Sequence, residues 1–435
     1  MVKWSTTVLA AALAAFVPAL AAESPPEEVP PAPDSASQAV PPEDPPFDPY
    51  FLGWESEPTM DYGGRDVTSL HLGLCRAIGT MAHAGRRPML AAAWEVPFGL
   101  FLSVVQHEVM GHGGRAREFH LRPSYGAGLD FSFYTTIDKD PQSNEVTTLI
   151  AAGGTEADNI LARRLLLDLY RPDGAEGAVV PLLIMAKIDL TLYALQTEKP
   201  DRHDRDRQKD FQDQFEEGND MAYWIVGRQA QRVGADPTMV WEQDYNIDFS
   251  DTRVLDTWRD MRATALWNFL DPAVGASVYS WLSDHLRKGS PRIRPPVLRL
   301  GGGWGLTAAT RGYLGPAEVS RFLDILATTP IGTMGAYLRD LDSADDRTYG
   351  WGFGLHRVRL ARFMQMNLQG DSWREPEAIE RASNGSRWNG SAEVEFLFAD
   401  RWGFSAKGGY KKEGFYPGTP MDRGTYLGFG LRGSF

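Results

Sequence analysis

Tyr426-Leu427-Gly428-Phe429-Gly430-Leu431-Arg432-Gly433-Ser434-Phe435 closes the chain with a period of two. A strand points successive side chains to opposite faces, so Leu427, Phe429, Leu431 and Phe435 share one face. Tyr426, Arg432 and Ser434 share the other. The texture repeats upstream. Leu298, Leu300, Trp304 and Leu306 alternate with glycines and polar residues, as do Tyr349, Trp351, Phe353 and Leu355. Val394, Phe396 and Phe398 follow the same rule, and so do Trp402, Phe404 and Ala406. Strands of about ten residues, apolar on one side and aromatic toward their ends, suit a bilayer-facing barrel wall. A soluble antiparallel sheet with one packed face would alternate in the same way.

The alternation predicts strands at 129–137, 297–308, 331–338, 349–357, 358–368, 388–399, 402–411 and 424–435. Eight is about the smallest strand number common in membrane barrels. The expected fold is α+β: a helical region, then a C-terminal antiparallel meander over 291–435, forming a partial or eight-stranded barrel. A terminal Phe on an alternating strand resembles the C-terminal insertion signal of bacterial outer-membrane β-barrel proteins. That resemblance implies an outer-membrane location with lipid as a partner, the periplasm being the alternative.

The other end of the chain agrees with export. Met1-Val2-Lys3 is followed by a short Ala/Leu/Val core and Ala19-Leu20-Ala21, which reads as a signal peptide over 1–22. Residues 23–49 hold ten prolines among acidic residues, a composition that reads as an extended linker. With Cys75 as the only cysteine, no intrachain disulfide can form. The net charge is −13 and the basic residues form no dense cluster, which argues against a nucleic-acid partner.

Residues 50–290 read as mainly helical. Leu70, Leu74, Ile78 and Met81 mark one face of a helix over 66–83, and the nearby His71 and His83 read as core or cap residues. Met89 to Val105 is almost continuously apolar, with Glu95 and Pro97 as the interruptions, and reads as a buried helix from about Phe98. Further helical periodicity covers 145–170, 219–232 and 251–287. The apolar stretch 179–195 carries two charges, Lys187 and Asp189. The mixed-charge run at 198–217, which includes His203, reads as a solvated face.

The apolar run ends in Gln106-His107-Glu108-Val109-Met110-Gly111-His112-Gly113-Gly114. The usual zinc-protease spacing, H-E-x-x-H, sets both imidazoles on one helical face with the glutamate as base. Here one more residue intervenes. At about 100° per residue, five steps turn the second imidazole roughly 140° from the first. A regular helix cannot aim both at one ion, so the spacing calls for a π-type turn or for unwinding near Gly111. Glu108 and His112 could otherwise form an ordinary i,i+4 pair with no metal.

The motif resembles the H-E-x-x-G-H of the dipeptidyl-peptidase III family. With Gly153-Gly154-Thr155-Glu156-Ala157-Asp158-Asn159 downstream, it is similar to the gluzincin zinc-peptidase pattern. The resemblance covers about a dozen residues. It implies Zn2+ held by His107, His112 and Glu156, with Glu108 activating water. The pattern commonly places an acidic residue four after the ligand Glu, where this chain has Ile160. Asp158 is the nearest substitute for orienting a ligand. Arg115, His120 and Tyr223 are candidates for binding substrate or a developing oxyanion.

The expected function is an exported, outer-membrane-associated zinc hydrolase acting on peptides. One alternative keeps the metal and changes the substrate to lipid or lipid A. Another is a scaffold without catalysis.

Overall fold

The computed structural model describes residues 49–56, 60–82, 88–128, 133–343, 346–361, 363–375, 385–398 and 402–433. The signal-peptide and linker segments, His83 and Phe435 lie outside them.

Ten antiparallel strands form the main sheet. In chain order these are β1 (Tyr50–Glu55), β6 (Leu298–Gly301), β7 (Trp304–Leu314), β8 (Glu318–Thr329) and β9 (Gly332–Ser343). They continue as β10 (Arg347–Ala361), β11 (Met364–Arg374), β12 (Ser386–Phe398), β13 (Trp402–Lys411) and β14 (Gly424–Gly433). From β6 to β14 each strand pairs with the next, and β1 joins beyond β14. Strands β2 (Pro123–Ala127) and β3 (Phe133–Ile137) make a separate hairpin, and β4 (Ala175–Glu176) pairs with β5 (Arg292–Ile293).

Two strand expectations change. Of the predicted strand at 129–137, the described part, 133–137, belongs to the β2–β3 hairpin and not to the large sheet, and 129–132 lie outside the described residues. The other seven expected strands belong to the sheet, which has ten because β1 and β8 were not anticipated and 297–308 is two strands, β6 and β7. Tyr50–Glu55, placed by sequence in the helical region, pairs along its whole length with β14.

The two faces of the sheet are chemically inverted relative to a soluble protein. Leu52, Trp54, Leu338, Trp351, Phe404 and Phe429 point outward and are exposed. Register aligns them into rows: Trp54 stands opposite Phe429, Leu52 opposite Leu431, and Trp351 opposite Leu338. The inward face is polar and buried. Arg65 binds Glu393 and Glu395, Arg311 binds Asp324, and Lys407 binds Glu55. Apolar patches of this size are rarely left to water.

The sheet does not close on itself among the described residues, because β1 and β6 are not partners. Helices cover β1 and, beyond the short exposed edge strand β6, the unpaired length of β7. In α1 (Asp61–Met81), Ser69 Oγ accepts from Phe51 N–H at 2.8 Å and Asp66 Oδ1 accepts from Gly53 N–H at 2.9 Å. At the far edge Asn268, on α8 (Thr252–Phe269), bonds both backbone groups of Gly312: it accepts at 2.6 Å and donates at 3.2 Å. Side chains thus satisfy edge groups that would otherwise recruit another strand.

The helical part sits against and within the curve of the sheet. Helix α2 is one continuous run, with an α-helix at Ala92–Val105, a π-helix at Gln106–His112 and an α-helix at Gly113–Glu118. It crosses α3 (Asn144–Leu169), whose far end reaches the strands through Asp168 and His356 at 3.0 Å. Helices α4 (Val179–Gln196), α5 (Arg205–Glu216), α6 (Asp220–Val233), α7 (Pro237–Trp241) and α9 (Pro272–Ser280) complete it. Trp224 and Arg228 of α6 donate to the carbonyls of Gly315 and Ala317, which fixes α6 on the β7–β8 turn. Pro88–Glu118 and Val179–Gln196 are long and apolar enough to cross a membrane.

Candidate metal centre

The extra residue in the His107–His112 spacing is absorbed by a π-turn. Gly113 N–H reaches Glu108 O, five residues back, and this wider turn restores both imidazoles to one side. Local packing selects it. A methyl group on Gly111 would lie 2.5 Å from Gly153 O and Gly154 Cα, and one on Gly154 would lie 2.2 Å from His107 Nε2. The three glycines let α2 and α3 cross with backbones in contact, which presses the His107 ring onto α3.

Each imidazole is oriented through Nδ1. His112 Nδ1 lies 2.6 Å from Ile150 O; a carbonyl can only accept, so this nitrogen carries a proton. His107 Nδ1 lies 3.2 Å from Asp189 Oδ2 and 3.5 Å from Asp158 Oδ2, and it donates there as well. Both Nε2 atoms are therefore left to present lone pairs, and they face each other at 3.0 Å. Asp220 Oδ2 completes a triangle, 3.1 Å from His112 Nε2 and 3.5 Å from His107 Nε2. The Tyr193 hydroxyl caps it, donating to Asp220 Oδ2 at 2.9 Å and lying 3.2 Å from His107 Nε2.

Three such donors packed this closely repel one another unless a proton or a shared cation lies between them. Ligands placed tetrahedrally at the usual zinc distances are about 3.3 Å apart, which the observed 3.0–3.5 Å matches. His107, His112 and Asp220 form one group that could hold a metal ion, and His107, Asp158 and Asp189 form another that shares His107. The first has two ring nitrogens and an oxygen aimed at a common point beside a cavity. In the second the ring offers a protonated Nδ1, so its carboxylates serve to orient His107.

The surrounding carboxylates favour positive charge at this point, whether carried by protons on the rings or by an ion. Burial opposes charge on both rings, but Asp189, Asp158 and Asp220 outweigh it and raise His107 well above the ordinary imidazole range. Asp220 raises His112 against burial, with the charge of His107 opposing. The Asp220 carboxyl, although buried, is held far below its usual range by His112 and His107. Burial and the Asp189 charge raise the Asp158 carboxyl well above its usual range.

A cavity of about 160 Å³ opens beside the triangle. Glu108, His112, Asp220, Thr135, Tyr134, Tyr223 and Trp241 lie on its wall. Glu108 Oε2 accepts from Thr135 Oγ1 at 2.7 Å, which fixes the carboxylate through β3.

The residues singled out by sequence separate into two sets. His107, Glu108, His112, Asp158 and Tyr223 are at the centre or on its cavity. Glu156 is not, and this corrects the expected ligand set. Both its oxygens are held by Arg115, and Oε1 also accepts from Gly418 N–H at 2.6 Å. Arg115 is buried, binds Glu118 at 2.7 Å and donates to Thr419 O, so it anchors the loop between β13 and β14 rather than a substrate. His120 is an exposed turn residue with φ +59°. His71 is a core residue, its Nε2 2.6 Å from Ala178 O.

Asp220, Asp189 and Tyr193 were missed. Asp189 had a signal, being an acid within an apolar helix, which is costly unless it is paired. Asp220 follows Asn219, whose side chain caps the helix, and an acid in the first turn is explained by the helix dipole alone.

Comparison with protein-family models, with curated proteins and with solved structures returned no match.

Proposed function

We propose that the chain is an outer-membrane metallohydrolase that holds zinc on His107, His112 and Asp220 and cleaves peptide bonds. The observation that carries this reading is the convergence of two imidazole lone pairs and a carboxylate next to Glu108. Imidazole and carboxylate suit several borderline ions; the glutamate adjoining a ligand favours zinc hydrolysis over redox chemistry.

When bound, zinc would act as a Lewis acid on the substrate carbonyl. Glu108 takes a proton from the attacking water and returns it to the departing amine. Thr135 holds the Glu108 carboxylate in place. Tyr193, whose phenol is kept protonated by burial and by the Asp220 and Asp189 charges, donates its one proton to Asp220 Oδ2 and so holds that carboxylate in place. Asp189 and Ile150 O keep the two ligand rings in the correct tautomer.

Strand β3 supports a peptide substrate. Among the described residues it pairs on one side only, with β2, and Thr135 at its centre touches Glu108. An extended chain can add to such an edge through backbone hydrogen bonds. The outward Trp, Phe and Leu rows support a bilayer-facing sheet whose wall is completed by helices.

The test is Glu108→Gln. It is expected to lower turnover of fluorogenic peptides by about 10²- to 10⁴-fold while bound zinc stays at the wild-type level. Parallel loss of zinc would make Glu108 a ligand and overturn its role as base. Wild type that cleaves lipid esters but no peptide would keep the site and replace the substrate.

A further inference from the structure

The gap between the two sheet edges is filled by helices, and those helices expose apolar residues of their own. On Pro88–Glu118, only 33% of the apolar window is buried, against 61% in Val179–Gln196. A core helix of a soluble protein would be mostly buried. Leu90, Ala93, Pro97 and Phe101 form the exposed stripe at helical spacing. At the other edge Leu266, Phe269 and Leu270 of α8 are exposed, as is Tyr279 of α9. On the same exposed face of α8, Arg259 and Arg262 come before Leu266, so its apolar surface is confined to the last turn.

Two helices are fastened to the sheet, α1 to β1 and α8 to β7, and Pro88–Glu118 packs against α1. Ser69 and Asp66 hold β1, and Asn268 holds β7. An open sheet edge cannot face hydrocarbon, because unpaired backbone groups there cost several kcal/mol each, roughly. At Phe51, Gly53 and Gly312 helix side chains bond these groups, which lowers that penalty where the wall passes from strand to helix.

We propose that the helical surface carrying Leu90, Phe101 and Phe269 faces the same hydrocarbon as the outward rows of the sheet, so that the membrane wall is part strand and part helix. This rests on the membrane reading of the sheet given above. It also locates the metal cavity. The Phe101 ring contacts Phe133, with centroids 6.1 Å apart, and Phe133 lines the cavity. The lip of the site therefore lies at the edge of the lipid-facing surface.

Spin labels test this in the full chain, carrying Cys75→Ala and reconstituted into phosphatidylcholine vesicles. Labels replace Leu90, Phe101 and Phe269 in turn. Trp351 is the sheet control, and Asp213, exposed on the charged helix α5, is the water control. Collision with oxygen, which partitions into lipid, is compared with collision with a water-soluble nickel chelate. The three helix sites are expected to show the same excess of oxygen over nickel as Trp351, and the opposite of Asp213. Nickel excess at Phe101 and Phe269, with oxygen excess at Trp351, would overturn the helical wall and leave the membrane sheet standing. Nickel excess at Trp351 as well would overturn both.

Discussion

Gly111→Ala tests whether the crossing of α2 and α3 sets the metal geometry. The added methyl would lie 2.5 Å from Gly153 O and from Gly154 Cα, both backbone atoms. Ordinary contact needs about 3.5 Å, so the helices must separate by about 1 Å. The stability cost is modest. Overpacking costs about 1–3 kcal/mol, and alanine recovers about 1 kcal/mol of helix preference over glycine. The geometry suffers more, because His107 and His112 move with α2 while Asp220 stays on α6. A misplacement near 1 Å can cost about 10²-fold in rate. Gly114→Ala is the matched control, since its methyl would find only Met60 Cε, at 3.8 Å. The assay pairs kcat/KM on a fluorogenic peptide with thermal unfolding. The expected result is a loss of about 10²-fold for Gly111→Ala with a small change in Tm, and near wild-type behaviour for Gly114→Ala. Equal activity in the two variants would refute the argument that the glycine crossing places the ligands.

Asp189→Asn removes the charge that faces His107 Nδ1 and is expected to weaken zinc affinity by about 10- to 100-fold, measured by competition with a chelator. Unchanged affinity would mean that Asp158 alone orients the ring. Asp66 gives a pH dependence. Burial raises its carboxyl to about 6 from 3.8, against the Gly53 N–H and Arg65, which lower it. The folded state thus holds this proton more tightly than the unfolded chain does. Its contribution is complete below about pH 4 and is lost as pH rises through 6. Asp66→Asn, whose amide oxygen can still accept from Gly53 N–H, should unfold on heating with a smaller difference between about pH 4 and pH 7 than wild type shows. An identical pH difference in both proteins would contradict this.

What the sequence disclosed follows from how local each signal is. The π-turn was readable because five steps cannot bring two imidazoles together on a regular helix, whatever surrounds it. The outward rows at 349–357, 402–411 and 424–433 were readable because Trp, Phe and Leu there face away from all other protein. Strand β8 was not. Near its start Glu318, Val319 and Ser320 are all buried, since helices cover the face that would otherwise alternate. Strand β1 is six residues long and gains its meaning only from pairing with β14, more than 370 positions later. The ligand set failed for the same reason. Glu156 satisfied a spacing borrowed from a resemblance, yet its carboxylate is claimed by Arg115. Asp220 arrives from a helix whose position is set by Trp224 and Arg228 on the β7–β8 turn, and no local pattern records that. Asp189 was visible as an acid in an apolar helix, and burial cost alone was reason to seek its partner.

The most direct measurement of the central claim is the metal content of purified full-length protein, by mass spectrometry, in wild type, Asp220→Ala and Glu156→Gln. Asp220 Oδ2 lies 3.1 Å from His112 Nε2, and Glu156 is in an ion pair with Arg115. The account predicts about one zinc per wild-type chain, loss of most of it in Asp220→Ala, and retention in folded Glu156→Gln despite lowered stability. Zinc kept by Asp220→Ala and lost from a folded Glu156→Gln would contradict it, as would wild type that holds no metal when purified without chelators.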